Sequence, residues 1–258
     1  MNLPNPFPGV QNTAGRLPPP LTPQVLPKYK FKKAGKNGVL IAVILDESGS
    51  MISCYDATIS GFNEYVAGQK ASVETAGAVF LTLNKFDAPH IKTVFTNMPI
   101  QEVPQLNKEN YRPNGGTNLL DAIGYTIGQI NDILASNKKE DRPGVIIVIT
   151  TDGAENSSRT YTNDQIKEMV KAAEKSDWSF IFMGANIDSF SVGSTFGMNQ
   201  HNTVNYSTAS LAGTYSSLNS TTTRMRSAKM AGMDTTSIYE TSMFTDDEKS
   251  QMVEGDKK

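Results

Sequence analysis

Cysteine and histidine are nearly missing from this chain of 258 residues, which holds one Cys and two His. A single thiol, Cys54, rules out an intrachain disulfide and any zinc site built on cysteines. His90 and His201 lie far apart in sequence. A cage of several histidines is therefore excluded, and a histidine base would have to be one of these two. Net charge is also small: 24 Lys and Arg against 26 Asp and Glu leave −2, so no chain-wide field points to nucleic acid. Apolar residues make up 38% of the chain, with no run of membrane-spanning length, so no membrane partner is expected either. Met1 to Pro8 shows no charged stretch followed by an apolar core. No secretory signal is therefore expected, and the cytoplasm is the expected compartment.

What is present falls into four parts. Residues 1–37 hold eight of the 13 prolines, six basic residues and no acidic one. Prolines at that density block helix and ladder pairing, so an extended or disordered basic arm is expected, either solvated or docked on a partner. Subtracting its +6 from the chain's −2 leaves −8 on the remainder, a balance that suits cation binding. Residues 38–206 alternate buried strands with amphipathic helices, the pattern of a mostly parallel sheet covered on both faces. Strands are expected at Val39–Leu45, Ala78–Phe86, Ile91–Phe95, Val145–Thr150, Trp178–Met183 and Thr203–Asn205. Helices are expected at Ala57–Lys70, Asn118–Leu134, Asp164–Lys175 (capped by Asn163 or Asp164) and Ile187–Phe196. Residues 207–233 keep roughly helical apolar spacing and read as a further helix packing on the domain. Residues 234–258 lose periodicity and carry Asp246, Asp247, Glu248, Glu254 and Asp256, which reads as an acidic flexible tail.

Chemistry concentrates in Leu45-Asp46-Glu47-Ser48-Gly49-Ser50-Met51. An acid and two hydroxyls, spaced Asp-x-Ser-x-Ser, stand where the first buried strand ends, the edge at which open α/β sheets place ligand sites. Their oxygens are the hard donors that Mg²⁺, Mn²⁺ and Ca²⁺ prefer. Alone, the pattern also reads as an Asp or Ser capping the next helix. Two other loops follow the same logic. Pro113-Asn114-Gly115-Gly116-Thr117 opens a helix behind paired glycines, and Thr150-Thr151-Asp152-Gly153 follows a second core strand. Strand C-termini of a parallel sheet share one edge, so Asp46 and Asp152 can face each other with Thr117 between them.

In this order and context, Asp46, Ser48, Ser50, Thr117 and Asp152 match residue by residue the metal-ion-dependent adhesion site of the von Willebrand factor type A domain. The segment from Gly38 to Tyr206 resembles that family. Gly61-Phe62-Asn63-Glu64, Gly115-Gly116-Thr117-Asn118-Leu119-Leu120-Asp121-Ala122-Ile123 and Thr151-Asp152-Gly153-Ala154-Glu155-Asn156-Ser157-Ser158 look like small stand-alone members from bacteria and bacteriophages. The resemblance implies a Rossmann-like three-layer αβα fold with five parallel strands and one antiparallel edge strand. It also implies a divalent metal held by the five residues, with Mg²⁺ favoured by abundance and Mn²⁺ or Ca²⁺ as alternatives. A protein partner would supply an Asp or Glu to the metal, and the loops Met51-Ile52-Ser53 and Glu155-Asn156-Ser157 would add specificity.

Two other functions stay open at this point. The terminal arms suit a structural or assembly component, in a virion or multi-protein complex, through self-association or as an adaptor to an ATPase supplied in trans. A Mg²⁺-dependent phosphoesterase is the enzymatic alternative. Against it, Asp46 is followed two positions on by Ser48 rather than a second Asp. No Gly-x-Ser-x-Gly elbow, phosphate-binding Gly-x-x-x-x-Gly-Lys-Ser/Thr loop or helix-opening Gly-x-Gly-x-x-Gly occurs. The chain is therefore expected not to be an enzyme.

Overall fold

The computed structural model describes Phe31, residues 38–185 and residues 187–253. Its strands are β1 (Gly38–Asp46), β2 (Ala78–Asp87), β3 (His90–Pro99), β4 (Gly144–Thr151), β5 (Trp178–Ala185) and β6 (Thr203–Tyr206). They form one six-stranded sheet in the order β3-β2-β1-β4-β5-β6. Five strands run parallel, and β3 returns antiparallel on β2 at one edge. This is the Rossmann-like α/β architecture that the resemblance implies.

Alternation along β1 explains the layers. Val39, Ile41, Val43 and Leu45 enter one apolar cluster, and Leu40, Ala42 and Ile44 enter the other. A strand buried on both faces has no polar side, which is why it reads as a continuous apolar run. On the first face lie α1 (Tyr55–Ala71) and α6 (Leu211–Met230), contributing Phe62 and Tyr65 and then Leu211, Tyr215, Leu218 and Met225. A Cβ at Gly61 would sit 2.1 Å from Cδ2 of Tyr215, so glycine is what lets the two helices approach this closely. On the second face lie α3 (Leu119–Ala135), α4 (Asn163–Glu174) and α5 (Ser189–Thr195). In α3, Leu119, Ile123, Ile127 and Ile130 recur at helical spacing and are buried in the second cluster. The four-residue α2 (Val73–Ala76) leads into β2.

Several local expectations change. The cap of α4 is Thr162 rather than Asn163 or Asp164. Its side chain accepts from the N–H of Gln165 and the Gln165 side chain reaches back, a reciprocal pair that starts the helix one residue earlier. Asp188 caps α5, which is shorter at both ends than the apolar pattern suggests.

Residues 234–253 are not a flexible tail: α7 (Thr235–Thr241) and α8 (Asp246–Val253) fold back on the first face. Ile238, Tyr239, Phe244 and Met252 are buried there, each filling its own place in the cluster rather than forming a periodic stripe. The basic arm falls outside the described residues apart from Phe31. That residue is buried and meets Phe80 edge-on with centroids 5.1 Å apart, so at least one arm residue belongs to the core.

Candidate metal centre

Asp46 closes β1 with its side chain fully buried. The N–H of Ser48 donates to its Oδ1 at 2.7 Å, the turn an Asp makes with the amide two residues on. The chain then enters a short 3₁₀ turn, Gly49–Cys54, which leads into α1. This brings the Oγ atoms of Ser48 and Ser50 to 3.1 Å from each other. The spacing Asp-x-Ser-x-Ser thus gathers all three side chains at one strand end.

The second carboxylate arrives from β4. Thr151, its last residue, donates through Oγ1 to Asp46 Oδ2 at 2.5 Å. Asp152 Oδ1 accepts from Ser50 Oγ at 2.5 Å. Thr117 completes the group. A Cβ built on Gly153 would lie 3.1 Å from Thr117 Oγ1 and 3.5 Å from Ser50 Oγ, so both hydroxyls face the same glycine beside Asp152. All five residues expected from the sequence meet at the C-terminal edge of β1 and β4. Asp46, Ser48, Thr117 and Asp152 are buried and Ser50 is exposed.

Neighbouring loops fix this arrangement with residues that the motif does not specify. Gly115 has φ +69, and a Cβ there would meet the carbonyl oxygen of Ala88 at 2.7 Å. Gly49 N–H donates to Gly115 O at 3.1 Å and Ala88 N–H to Gly116 O at 2.8 Å. Tyr111 donates its hydroxyl to the Asp46 carbonyl at 2.8 Å. Glu155 accepts from the N–H groups of Leu120, Ser157 and Ser158 at 2.9, 2.9 and 2.7 Å. Asp121 accepts from those of Arg159, Thr160 and Tyr161. Glu155 is therefore a loop anchor rather than a surface contact, and Met51 is buried. Ile52, Ser53 and Asn156 remain exposed around the site. Thr151, Tyr111 and Asp121 are assigned no role by the sequence, since the groups they hold at the site lie in other segments; Glu155, expected at the surface, instead holds Leu120 across the site and Ser157 and Ser158 in its own loop.

Burial pushes the Asp46 carboxyl up from 3.8 to about 6. Hydrogen bonds from Thr151 and Ser48 oppose the rise, and the neighbouring Asp152 charge adds to it. Burial also raises Asp152, against the hydrogen bond from Ser50. Among the described residues neither acid forms an ion pair. Nor does any group of three or more His, Cys, Asp or Glu gather anywhere in them. A cation held at this edge would meet carboxylate and hydroxyl oxygens only, a donor set that fits a hard divalent ion. Cys54 is buried, donates to the Met51 carbonyl at 3.5 Å, and has its thiol pushed up by burial. His90 is exposed, 3.4 Å from Asp87, and His201 is exposed in a late 3₁₀ turn.

No known family model matches the sequence, and no curated protein matches it. Solved structures do. Proximal thread matrix protein 1 from the mussel byssus aligns with a TM-score of 0.54 at 14% identity, covering 71% of this chain and 47% of its own. The same protein with a zinc-occupied adhesion-site motif aligns at 0.52 and 14% identity, with the same coverage. The open pilus adhesin SpaC from Lactobacillus rhamnosus GG aligns at 0.50 and 13% identity, covering 73% of this chain and 30% of its own. This chain therefore spans about half or less of the proteins it resembles, and what they share with it is the fold, that of a von Willebrand factor A domain.

Proposed function

We propose that this chain is a metal-dependent protein-interaction module. In this reading Asp46, Ser48, Ser50, Thr117 and Asp152 hold a divalent cation, and a carboxylate from a protein partner completes the coordination. One observation carries it: two buried acids and three hydroxyls are brought together by three separate loops, and among the described residues no cationic side chain pairs with either acid. Such an arrangement is costly as a purely structural feature, because a buried charge is ordinarily paired.

Each residue then has a definable role. Ser48, Ser50 and Thr117 offer neutral oxygens that bind without cancelling positive charge. Asp46 is held by Thr151 and the Ser48 amide, and Asp152 by Ser50, so both carboxylates are oriented before any ligand arrives. A bound hard cation such as Mg²⁺ supplies an electrophilic position that an incoming Asp or Glu can occupy as a charge-assisted ligand. Exposed Ile52, Ser53 and Asn156 surround that position and are the side chains a partner would touch. Mg²⁺ is favoured by abundance, and Mn²⁺ and Ca²⁺ suit the same oxygens.

Binding is favoured over turnover because, among the described residues, neither Cys54 nor either histidine is placed as a nucleophile or base beside the acids. Cys54 is buried with its thiol protonated, and neither histidine bonds to Asp46 or Asp152. Calorimetric titration with Mg²⁺ and Mn²⁺ tests the metal, and partner binding with and without EDTA tests the function. Micromolar to millimolar metal binding lost in Asp46→Ala and Thr117→Ala is expected. Partner affinity indifferent to EDTA and to both substitutions would overturn the reading, as would metal-dependent phosphoester hydrolysis abolished by Asp46→Ala.

A further inference from the structure

Glu47 occupies a position to which Asp-x-Ser-x-Ser assigns no role, yet it is buried, as is Lys85 on β2. The two form an ion pair at 2.5 Å. We propose that this pair is a positioning device for the metal centre: it holds the segment Asn110–Thr117 in register with the loop Asp46–Ser50, so that Thr117 is presented to the same ion as Ser48 and Ser50. The inference rests on the metal-binding reading above and adds two residues outside the ligand set.

The geometry is specific. Glu47 Oε1 accepts from Lys85 Nζ and also from the backbone N–H of Arg112 at 2.5 Å. Lys85 Nζ donates in turn to the carbonyl of Asn110. One carboxylate and one ammonium thus tie two backbone groups of the same segment, on either side of Tyr111. Backbone bonds continue the lacing: Asn114 N–H donates to Glu47 O at 2.8 Å, and Gly49 N–H to Gly115 O at 3.1 Å. Glu47 N–H donates to Phe86 O at 2.8 Å, which fixes the same loop to the end of β2.

This segment needs such support. Residues 111–115 belong to no helix or strand, so their amides have no ladder to join. An apolar pair of the same volume would leave Arg112 N–H and Asn110 C=O without these partners. A single ionic group on either side would be left buried and unpaired. The pair is therefore suited to defining where the segment lies, which is the use for which buried ion pairs are best attested. Thr117 lies five residues beyond Arg112, and its placement beside Gly153 follows from that of the segment.

The test compares the full chain with Glu47→Gln, Lys85→Met, the double substitution, and Glu47→Asp. Three readouts are taken: Mn²⁺ affinity by calorimetry, Tm in EDTA, and amide hydrogen exchange at Arg112 and Asn114. Each single neutralisation is expected to lower Tm and affinity together. The double substitution removes both charges, so its Tm should recover towards that of the unsubstituted chain. Its Mn²⁺ affinity should stay at least tenfold weaker, and exchange at Arg112 should be at least tenfold faster. Glu47→Asp keeps the charge but withdraws the carboxylate by one methylene, and should lose affinity with little change in Tm. Unaltered affinity in the double substitution or in Glu47→Asp would overturn the positioning role, since charge or stability alone would then account for the pair. If the unsubstituted chain binds no Mn²⁺ while exchange at Arg112 still quickens in the double substitution, the metal reading falls and only the loop-holding contact stands.

Discussion

Ser50 and Asp152, 102 residues apart in sequence, are joined by a hydrogen bond of 2.5 Å from the serine hydroxyl to the carboxylate. The contact ties the loop after β1 to the loop after β4. In the proposed metal site one ion would touch both the Ser50 oxygen and the Asp152 carboxylate. Ser50 is exposed, so Ser50→Ala removes a proposed ligand without opening a core cavity. Its Tm in EDTA should stay within a few degrees of the unsubstituted protein. Mg²⁺ affinity, read by calorimetry, should fall at least tenfold.

Asp46 makes the stability of the metal-free protein pH-dependent in a defined direction. Burial first, and Asp152 to a lesser extent, lift its carboxyl from 3.8 to about 6. The folded state therefore holds more protons than the unfolded chain between those values, and stability falls as pH rises through the window. About two pH units correspond to about 3 kcal/mol as an upper bound. In EDTA, Tm should drop from pH 4 towards pH 6.5, and Mg²⁺ at 100 times its Kd should restore about 2.7 kcal/mol at neutral pH. Asp46→Asn should flatten the pH profile, be no less stable in EDTA at pH 7, and lose the response to Mg²⁺.

Gly115 separates a backbone requirement from a chemical one. Its φ of +69 and the Ala88 carbonyl oxygen 2.7 Å from an added Cβ both oppose a side chain. The left-handed backbone alone costs a non-glycine residue about 1–2 kcal/mol, and the contact with backbone oxygen adds to it. Gly115→Ala should lower Tm and weaken metal binding, because the Gly49–Gly115 bond and the adjoining Ala88–Gly116 bond must shift. Gly128, inside α3 with nothing near an added Cβ, is the control. Gly128→Ala should raise stability by up to about 1 kcal/mol and leave metal affinity unchanged.

The parts legible in the sequence are those whose cause is local. β1 declares itself by an unbroken apolar run, and α3 by Leu119, Ile123, Ile127 and Ile130 at helical spacing. Asp46, Ser48, Ser50, Thr117 and Asp152 are marked because they fall where a strand gives way to a loop or a loop to a helix, and a parallel sheet puts those points on one edge. Glu47 and Lys85 carry no such mark. Either alone reads as a surface charge, and only the register of β1 on β2, which pairs Leu45 with Lys85, brings them together. Thr151 and Tyr111 are invisible for a similar reason, because their partner Asp46 lies in another segment. The end of the chain misleads in the opposite way. Acidic residues suggest a solvated segment, while Ile238, Phe244 and Met252 anchor it singly, without a period to reveal them.

That last segment yields the final prediction. Arg224 on α6 grips Glu248 on α8 through its two terminal guanidinium nitrogens, at 2.9 and 2.7 Å. It also donates to the Met243 carbonyl at 2.7 Å. Glu248 further accepts from the Thr245 N–H at 2.8 Å and returns its own N–H to the Thr245 hydroxyl, which caps α8. Burial pushes the Glu248 carboxyl up, but Arg224 and Thr245 more than offset it and leave it below the ordinary glutamate range. The sign is opposite to that of Asp46: this stabilisation is complete above the unfolded pKa and is lost as pH falls through the lowered one. Arg224→Ala should release α8, exposing Met252 and breaking the 2.8 Å bond from Ser207 N–H to the Met252 carbonyl. Loss of charge-assisted bonds of this kind costs about 1.5–3 kcal/mol each when partly buried. Amide exchange at Ser207 should therefore quicken at least tenfold, and proteolysis should begin after Met243. Mg²⁺ affinity should be unchanged, because none of the groups that Arg224 holds belongs to the metal loops. Unaltered exchange at Ser207 would show that Met252 burial alone keeps α8 in place.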